Sequence, residues 1–181
     1  MNLISGDRNN GESGKRMNTE YFERAAATEG RTLLIVDDDE INREILENIF
    51  SESYAIEHAE NGRQGLRAIL DHRERLCAVL LDVMMPEMDG IQVLRELNRK
   101  KLLEEIPVFL ITAEASSDVM REAYRLGVMD VINKPVIPYM VLRRVQSVVE
   151  LYQARRRLNN VVIRQQEDLL SQAAMIINLN Q

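Results

Sequence analysis

A doubly wound α/β sandwich is the fold class predicted by this sequence, on two observations. From Thr32 onward, short apolar runs alternate with amphipathic stretches of helical spacing, and the first, third and fourth runs are apolar without interruption. Uninterrupted runs are expected of parallel strands covered on both faces, and such a sheet carries its site at the carboxyl ends of its strands. The 181 residues, 45% hydrophobic and 29% charged, suit one compact domain with room for an extra segment and exclude a wholly disordered chain.

Residues 1–30 hold four of the eight glycines and are rich in Asn, Ser and Glu. They lack the apolar surface to stay ordered alone and read as a disordered tail, with a short helix over Asn18–Ala27 and Met17 as an alternative start. The expected strands are then Leu33–Val36, Tyr54–His58, Ala78–Leu81, Pro107–Ile111 and Asp130–Ile132. Between them, Ile41–Phe50, Arg63–His72, Ile91–Lys100 and Ser117–Leu126 are the expected helices. Pro138 suits the first turn of a further helix, and no Gly or Pro follows it. A heptad pattern runs through Leu151, Arg155, Leu158, Val162, Gln165, Leu169, Gln172, Ile176 and Leu179, six of the nine apolar, which predicts a coiled coil. The expected division is thus a tail over 1–30, a globular unit over 31–150 and a helical extension over 151–181.

Charge is uneven along the chain: the net of −6 divides into −1 over 1–30, −8 over 31–137 and +3 over 138–181. Acidity and an aromatic content of 4% without tryptophan argue against a nucleic-acid binder, and Arg155-Arg156-Arg157 reads as a solvated helix face. No apolar run reaches bilayer length and no signal peptide opens the chain, while Cys77, the single cysteine, reads as a buried strand residue in a reducing cytoplasm. His58 and His72 have no partner at metal-ligand spacing and read as edge residues. Met84, Met85 and Met88 belong to one loop, and the other methionines read as fillers of core gaps.

The chemistry lies at the strand ends. The first run leads into Asp37, Asp38, Asp39 and Glu40, four acids that repel one another unless a cation sits among them. Carboxylates at a strand end suit a hard divalent cation; read blandly, the run is a solvated loop with Glu40 favoured at a helix N-terminus. The third run ends at Asp82, before Val83-Met84-Met85-Pro86-Glu87-Met88-Asp89-Gly90. The fourth ends at Thr112-Ala113, and the fifth leads into Asn133-Lys134-Pro135. Three carboxylates, a hydroxyl and an ammonium at successive strand ends are far more specific than any one of them.

Ile35-Val36-Asp37-Asp38, the segment from Leu81 to Gly90, Ile111-Thr112-Ala113 and Asn133-Lys134-Pro135 together resemble the receiver domain of bacterial two-component response regulators, over about residues 31–150. The resemblance implies a flavodoxin-like sheet of order 2-1-3-4-5. It implies that Asp82 accepts a phosphoryl group from a sensor histidine kinase or phosphotransfer protein, with Mg2+ as cofactor. Asp38 and Asp82 match side-chain metal ligands, Asp37 an acid acting through water, and Met84 a backbone carbonyl ligand. Thr112 and Lys134 match residues that contact the phosphoryl oxygens, and a cis bond is usual before the proline matching Pro135. An aromatic that many receivers carry is replaced here by Val131, so the signal is expected to pass through backbone shifts from Ala113 to Leu126. Met84 and Glu114 stand where the family tunes phosphoryl lifetime, which is expected to be minutes or longer.

The stretch from Val131 to Leu158 resembles receivers that precede an HD-type cyclic-dinucleotide phosphodiesterase. The sequence holds no His-Asp metal pair, Gly-Gly-acidic loop or helix-turn-helix, so the expectation is a signalling receiver and not an enzyme, acting as a homodimer through its last helix on a downstream output domain or protein. The alternatives are a phosphorylation-independent interaction module and a Mg2+-dependent aspartyl-phosphate hydrolase using Asp37 and Asp39.

Overall fold

The computed structural model describes residues 31–113 and 116–179. The N-terminal tail and the helix expected over Asn18–Ala27, together with Glu114, lie outside the described residues. Five strands, β1 (Thr32–Val36), β2 (Ala55–Ala59), β3 (Leu76–Leu81), β4 (Val108–Thr112) and β5 (Asp130–Asn133), form one parallel sheet of order 2-1-3-4-5. Helices α1 (Glu40–Phe50), α2 (Gly62–His72), α3 (Gly90–Arg99), α4 (Ser117–Leu126) and α5 (Pro138–Leu179) cover it. A 3-10 turn over Leu102–Glu104 joins α3 to β4, an element the apolar spacing does not announce.

The uninterrupted runs are buried on both sides, because successive side chains of a strand point to opposite faces. Leu34, Val36, Val79, Leu81, Val108 and Leu110 pack with Ile69 of α2, Val93, Leu94 and Leu97 of α3 and Ala123 of α4. Leu33, Ile35, Leu80, Phe109 and Ile111 pack the other way, with Leu46 and Phe50 of α1 and Val141, Val145 and Val149 of α5. Fully burying such a side chain contributes about 1.5–3 kcal/mol.

Element ends move by a residue or two for identifiable reasons. Tyr54, expected to open β2, lies beneath the sheet against Phe50, with ring centroids 6.1 Å apart, and pairing starts at Ala55 opposite Thr32. β3 begins two residues early, at Leu76, and its register with β1 skips Cys77, a bulge that leaves this cysteine buried. Pro107 lacks the N–H for a ladder position, yet its carbonyl still accepts from Val79 N at 3.0 Å. Gly127, at φ 107°, ends α4 in the left-handed region that glycine adopts without strain. α3 and α4 are tied together by Arg95 on Glu122, at 2.6 Å, and by Asn98 Nδ2 on the Leu126 carbonyl, at 2.8 Å.

Methionine usage departs from the expectation of gap filling. Met85, Met88 and Met129 do pack against the core, but Met140 and Met175 are exposed on α5. His58 lies in the edge strand β2 and His72 closes α2, each beside a glutamate: Glu47 at 3.2 Å and Glu57 at 2.7 Å. Among the described residues, no helix is long and apolar enough to cross a membrane.

α5 is a single 42-residue helix of roughly 63 Å. Its first half is held to the sheet through Val141, Val145 and Val149. Tyr152 Oη donates to the Leu103 carbonyl at 3.4 Å, and Arg156 donates to the Glu105 carbonyl at 3.2 Å, so the last attachments are to the turn after α3. From Arg157 to Met175 every residue is exposed.

Candidate functional site

The sheet order reverses between β1 and β3, and the crevice at the carboxyl ends of those two strands is where a doubly wound sheet places its site. Asp37 follows β1 and Asp82 follows β3, with Asp82 N donating to the Val36 carbonyl at 2.8 Å, so the two acids are neighbours by register. The four-acid run is dispersed by its local structure. Asp37 turns inward and is buried, while Asp38 stays exposed at the rim. Asp39 becomes the N-cap of α1, accepting from Ile41 N at 2.8 Å and Asn42 N at 3.4 Å. Glu40 occupies the first turn, where the helix dipole favours an acid.

Carboxylate oxygens of Asp37, Asp38 and Asp82 lie within 4.8 Å of one another. Lys134, carried in by the end of β5, places its ammonium 2.6 Å from Asp37 Oδ2 and 3.3 Å from Asp82 Oδ1. Three carboxylates against this ammonium leave an excess of two negative charges, the donor set and charge that suit a hard divalent cation. Asp39 stands outside this cluster, with its carboxylate capping α1.

Burial pushes the Asp82 carboxyl above the usual carboxylate range; the Lys134 ammonium pulls it down and the Asp37 charge pushes it up. Burial also disfavours the charged form of Lys134, but its hydrogen bond to Asp37 and the charges of Asp82 and Asp37 outweigh this, and its pKa stands above the ordinary lysine value. The site thus holds a protonated lysine against a poorly solvated carboxyl group.

Thr112 ends β4, fully buried, in register with Asn133 of β5, and its carbonyl accepts from Lys134 N at 2.8 Å. Ala113 is exposed at the rim of a cleft of about 460 Å³, lined also by Asn42, Ile45, Ile111, Lys134 and Pro135. The Lys134–Pro135 bond is cis. Met84 extends its side chain into solvent, 70% exposed. Val131 is not at the site: it lies within β5 opposite Leu110 and packs on the core.

Comparison with known proteins settles the family. Residues 33–146 match the response regulator receiver domain. The chain belongs to that family. Receivers are phosphorylation-controlled signalling modules of two-component systems, and response regulators partner with histidine kinases or phosphotransfer proteins. Among similar proteins, the phosphate regulon transcriptional regulatory protein PhoB of Pseudomonas aeruginosa is 34% identical over 121 residues, 66% of this chain and 52% of PhoB. The transcriptional regulatory protein SrrA of Staphylococcus aureus is 32% identical over 136 residues, 75% of this chain and 52% of SrrA. This receiver chain therefore spans about half the length of the curated relatives it matches. A chain of the CheX–CheY–BeF3–Mg2+ complex from Borrelia burgdorferi superposes with a TM-score of 0.61 at 31% identity, over 65% of this receiver and 88% of that chain.

Two residues that support the receiver site escape a reading of motifs, and a third has a role there that its motif does not reveal. Asn42 Nδ2 donates to Asp37 Oδ1 at 3.2 Å, beside Asp39 N at 3.0 Å. Arg43, buried beneath them, donates to the Asp37 carbonyl at 2.8 Å and faces Glu60 at 3.8 Å. Their signal is faint: two polar residues one turn past the cap of an otherwise amphipathic helix. Gly90 lies so close to Asp82 that any Cβ would collide with the Asp82 carbonyl, while its N–H bonds Val83 O at 3.0 Å. It reads as a loop terminator in sequence and is a packing requirement in space.

Proposed function

We propose that this receiver takes a phosphoryl group onto Asp82 from the phosphohistidine of a sensor kinase or phosphotransfer protein, and passes the loaded state to its C-terminal helix. The observation that carries this reading is the Lys134 ammonium bridging Asp37 and Asp82 beside exposed Asp38. An Asp82 carboxylate oxygen bonds to phosphorus as the bond from phosphorus to the imidazole nitrogen breaks, and the imidazole leaves. Asp37, Asp38, Asp82 and the Met84 carbonyl would hold Mg2+, which when bound offsets the repulsion between carboxylate and phosphoryl oxygens. Lys134 contributes a second positive charge to those oxygens, and the Thr112 hydroxyl is the switch that responds to them. The cleft beside Lys134, with exposed Ile45 in its wall, favours a protein donor over a free metabolite.

The exposed half of α5 supports pairing with a second copy. Leu151, Leu158, Val162 and Leu169 form a stripe turned roughly 120° from the face that packs on the sheet, so a partner helix meets no obstruction from the receiver. A lone helix of this kind is marginal in water, and a two-stranded coil buries the stripe.

Intact-mass analysis after incubation with acetyl phosphate and Mg2+ tests the first step. The native chain is expected to gain one phosphoryl group and Asp82→Asn none. An adduct that persists in Asp82→Asn, or none on the native chain, overturns the reading and favours an interaction module independent of phosphate.

A further inference from the structure

Asp37 is 1% exposed, and each of its acceptor atoms is engaged. Oδ2 accepts from Lys134, Oδ1 from Asp39 N and Asn42 Nδ2, and the backbone carbonyl from Arg43. These anchors differ in permanence. Lys134 stands 2.6 Å from Asp37 and 3.3 Å from Asp82, and to face a phosphoryl group on Asp82 its ammonium has to give up part of its hold on Asp37. Once it does, Oδ1 carries the orientation of the carboxylate. Of the two groups on Oδ1, Asn42 is the one that a side-chain change can remove.

Asn42 is built for this task. Its backbone N–H is taken by the Asp39 cap, so its Cα is fixed at the first turn of α1. Its side chain is half-buried and lines the cleft next to Lys134. A neutral amide orients a carboxylate without spending the excess negative charge on which a divalent cation depends. A lysine here would cancel that charge, and an aspartate would set two carboxylates against each other.

We infer that Asn42 is a positioning residue for phosphoryl transfer: its amide holds Asp37 in place for the metal while Lys134 shifts from Asp37 towards the phosphoryl group. The inference rests on the Mg2+-dependent reading above. Groups one shell out from a metal typically change its affinity on the order of tenfold or more when removed.

The test is a Mg2+ titration of the full chain without phosphodonor, followed by backbone amide NMR, comparing native protein, Asn42→Leu and Asn48→Ala. Leucine keeps the branched heavy-atom shape of Asn42 and removes the donor, while Asn48 is an exposed position on the same helix. Asn42→Leu is expected to weaken Mg2+ on the order of tenfold. The Mg2+ concentration for half-maximal phosphorylation by acetyl phosphate should move by the same factor, with the plateau rate retained at saturating Mg2+. Asn48→Ala should match the native chain. A merely structural role would lower the melting temperature of Asn42→Leu and leave its Mg2+ affinity alone, which overturns the inference. So does an equal loss of affinity in Asn48→Ala. If native protein binds Mg2+ and Asn42→Leu binds it equally well, the positioning role fails while the phosphoacceptor reading stands. Failure of the native chain to bind Mg2+ overturns both.

Discussion

The two halves of α5 have similar sequence character and opposite surroundings. Before Arg157, Val141, Val145 and Val149 are at most 1% exposed in the core layer that also holds Phe50, Phe109 and Ile111. Beyond it, Leu158, Val162, Leu169 and Leu170 are apolar to the same degree and stand in solvent. The docked half draws its stability from a sheet built of residues far away in the chain, whereas the free half has only its own backbone hydrogen bonds. The same periodic pattern is therefore a fold element in one half and a solvent-exposed stripe in the other. A change at one end of α5 has to pass through its attachments, Tyr152 and Arg156 on the turn after α3, before it reaches the free half.

The largest expected effect comes from placing a charge in each half. Val145→Asp buries an unpaired carboxylate among apolar side chains and should cost at least about 4 kcal/mol, read as loss of the cooperative urea transition. Leu169→Asp should leave that transition within about 0.5 kcal/mol and instead weaken self-association in sedimentation equilibrium. Equal destabilisation by the two would erase the distinction between docked and free halves.

A smaller effect separates the halves by pH. Cys77 and Tyr54 lie in the same core layer as Val145 and Val149, and burial pushes each of their pKa values up to about 12. Both groups keep their protons in the folded protein at pH values where the unfolded chain has lost them. Their contribution is therefore fully present below the ordinary thiol value of 9.0 and is lost as pH rises from there towards about 12. Urea unfolding of the native chain should weaken progressively above about pH 9, and Cys77→Ala should flatten the first part of that fall. A stability independent of pH across this range would show that the two groups are not desolvated by the docked layer.

The smallest effect sharpens the boundary itself. Arg156→Ala removes a charged donor from the Glu105 carbonyl and should cost about 0.5–1 kcal/mol. Hydrogen exchange should quicken over the turn around Arg156 and stay unchanged near Val141. Unaltered exchange around Arg156 would place the boundary nearer the receiver, at Tyr152.

Much of the fold was legible because strand chemistry is local. The apolar runs from Leu33 and Ala78 had no reading except strands covered on both faces, and a sheet of such strands must present Asp37 and Asp82 at one edge. Asn133-Lys134-Pro135 pointed to a cation there, and Lys134 bridges the two acids. Strand ends shifted where a neighbour outside the strand intervened, as Phe50 does by drawing Tyr54 beneath the sheet. Asn42 and Arg43 went unnoticed, and Gly90 was read only as the end of a loop, because their partners, Asp37, Glu60 and Asp82, are set by packing and not by spacing.

Periodicity and terminating residues along the chain were enough to settle the doubly wound class and the edge that bears the acids and the lysine, while the choice of Asp37 and Asp38 from the four-acid run came from the resemblance to receivers. A helix's apolar stripe records only that a partner is needed. That Val145 meets the sheet while Leu169 stands in solvent was decided by the tertiary structure. The reason is geometric: the sheet ends at the turn after α3, and past Arg156 the helix has nothing of its own chain left to touch among the described residues.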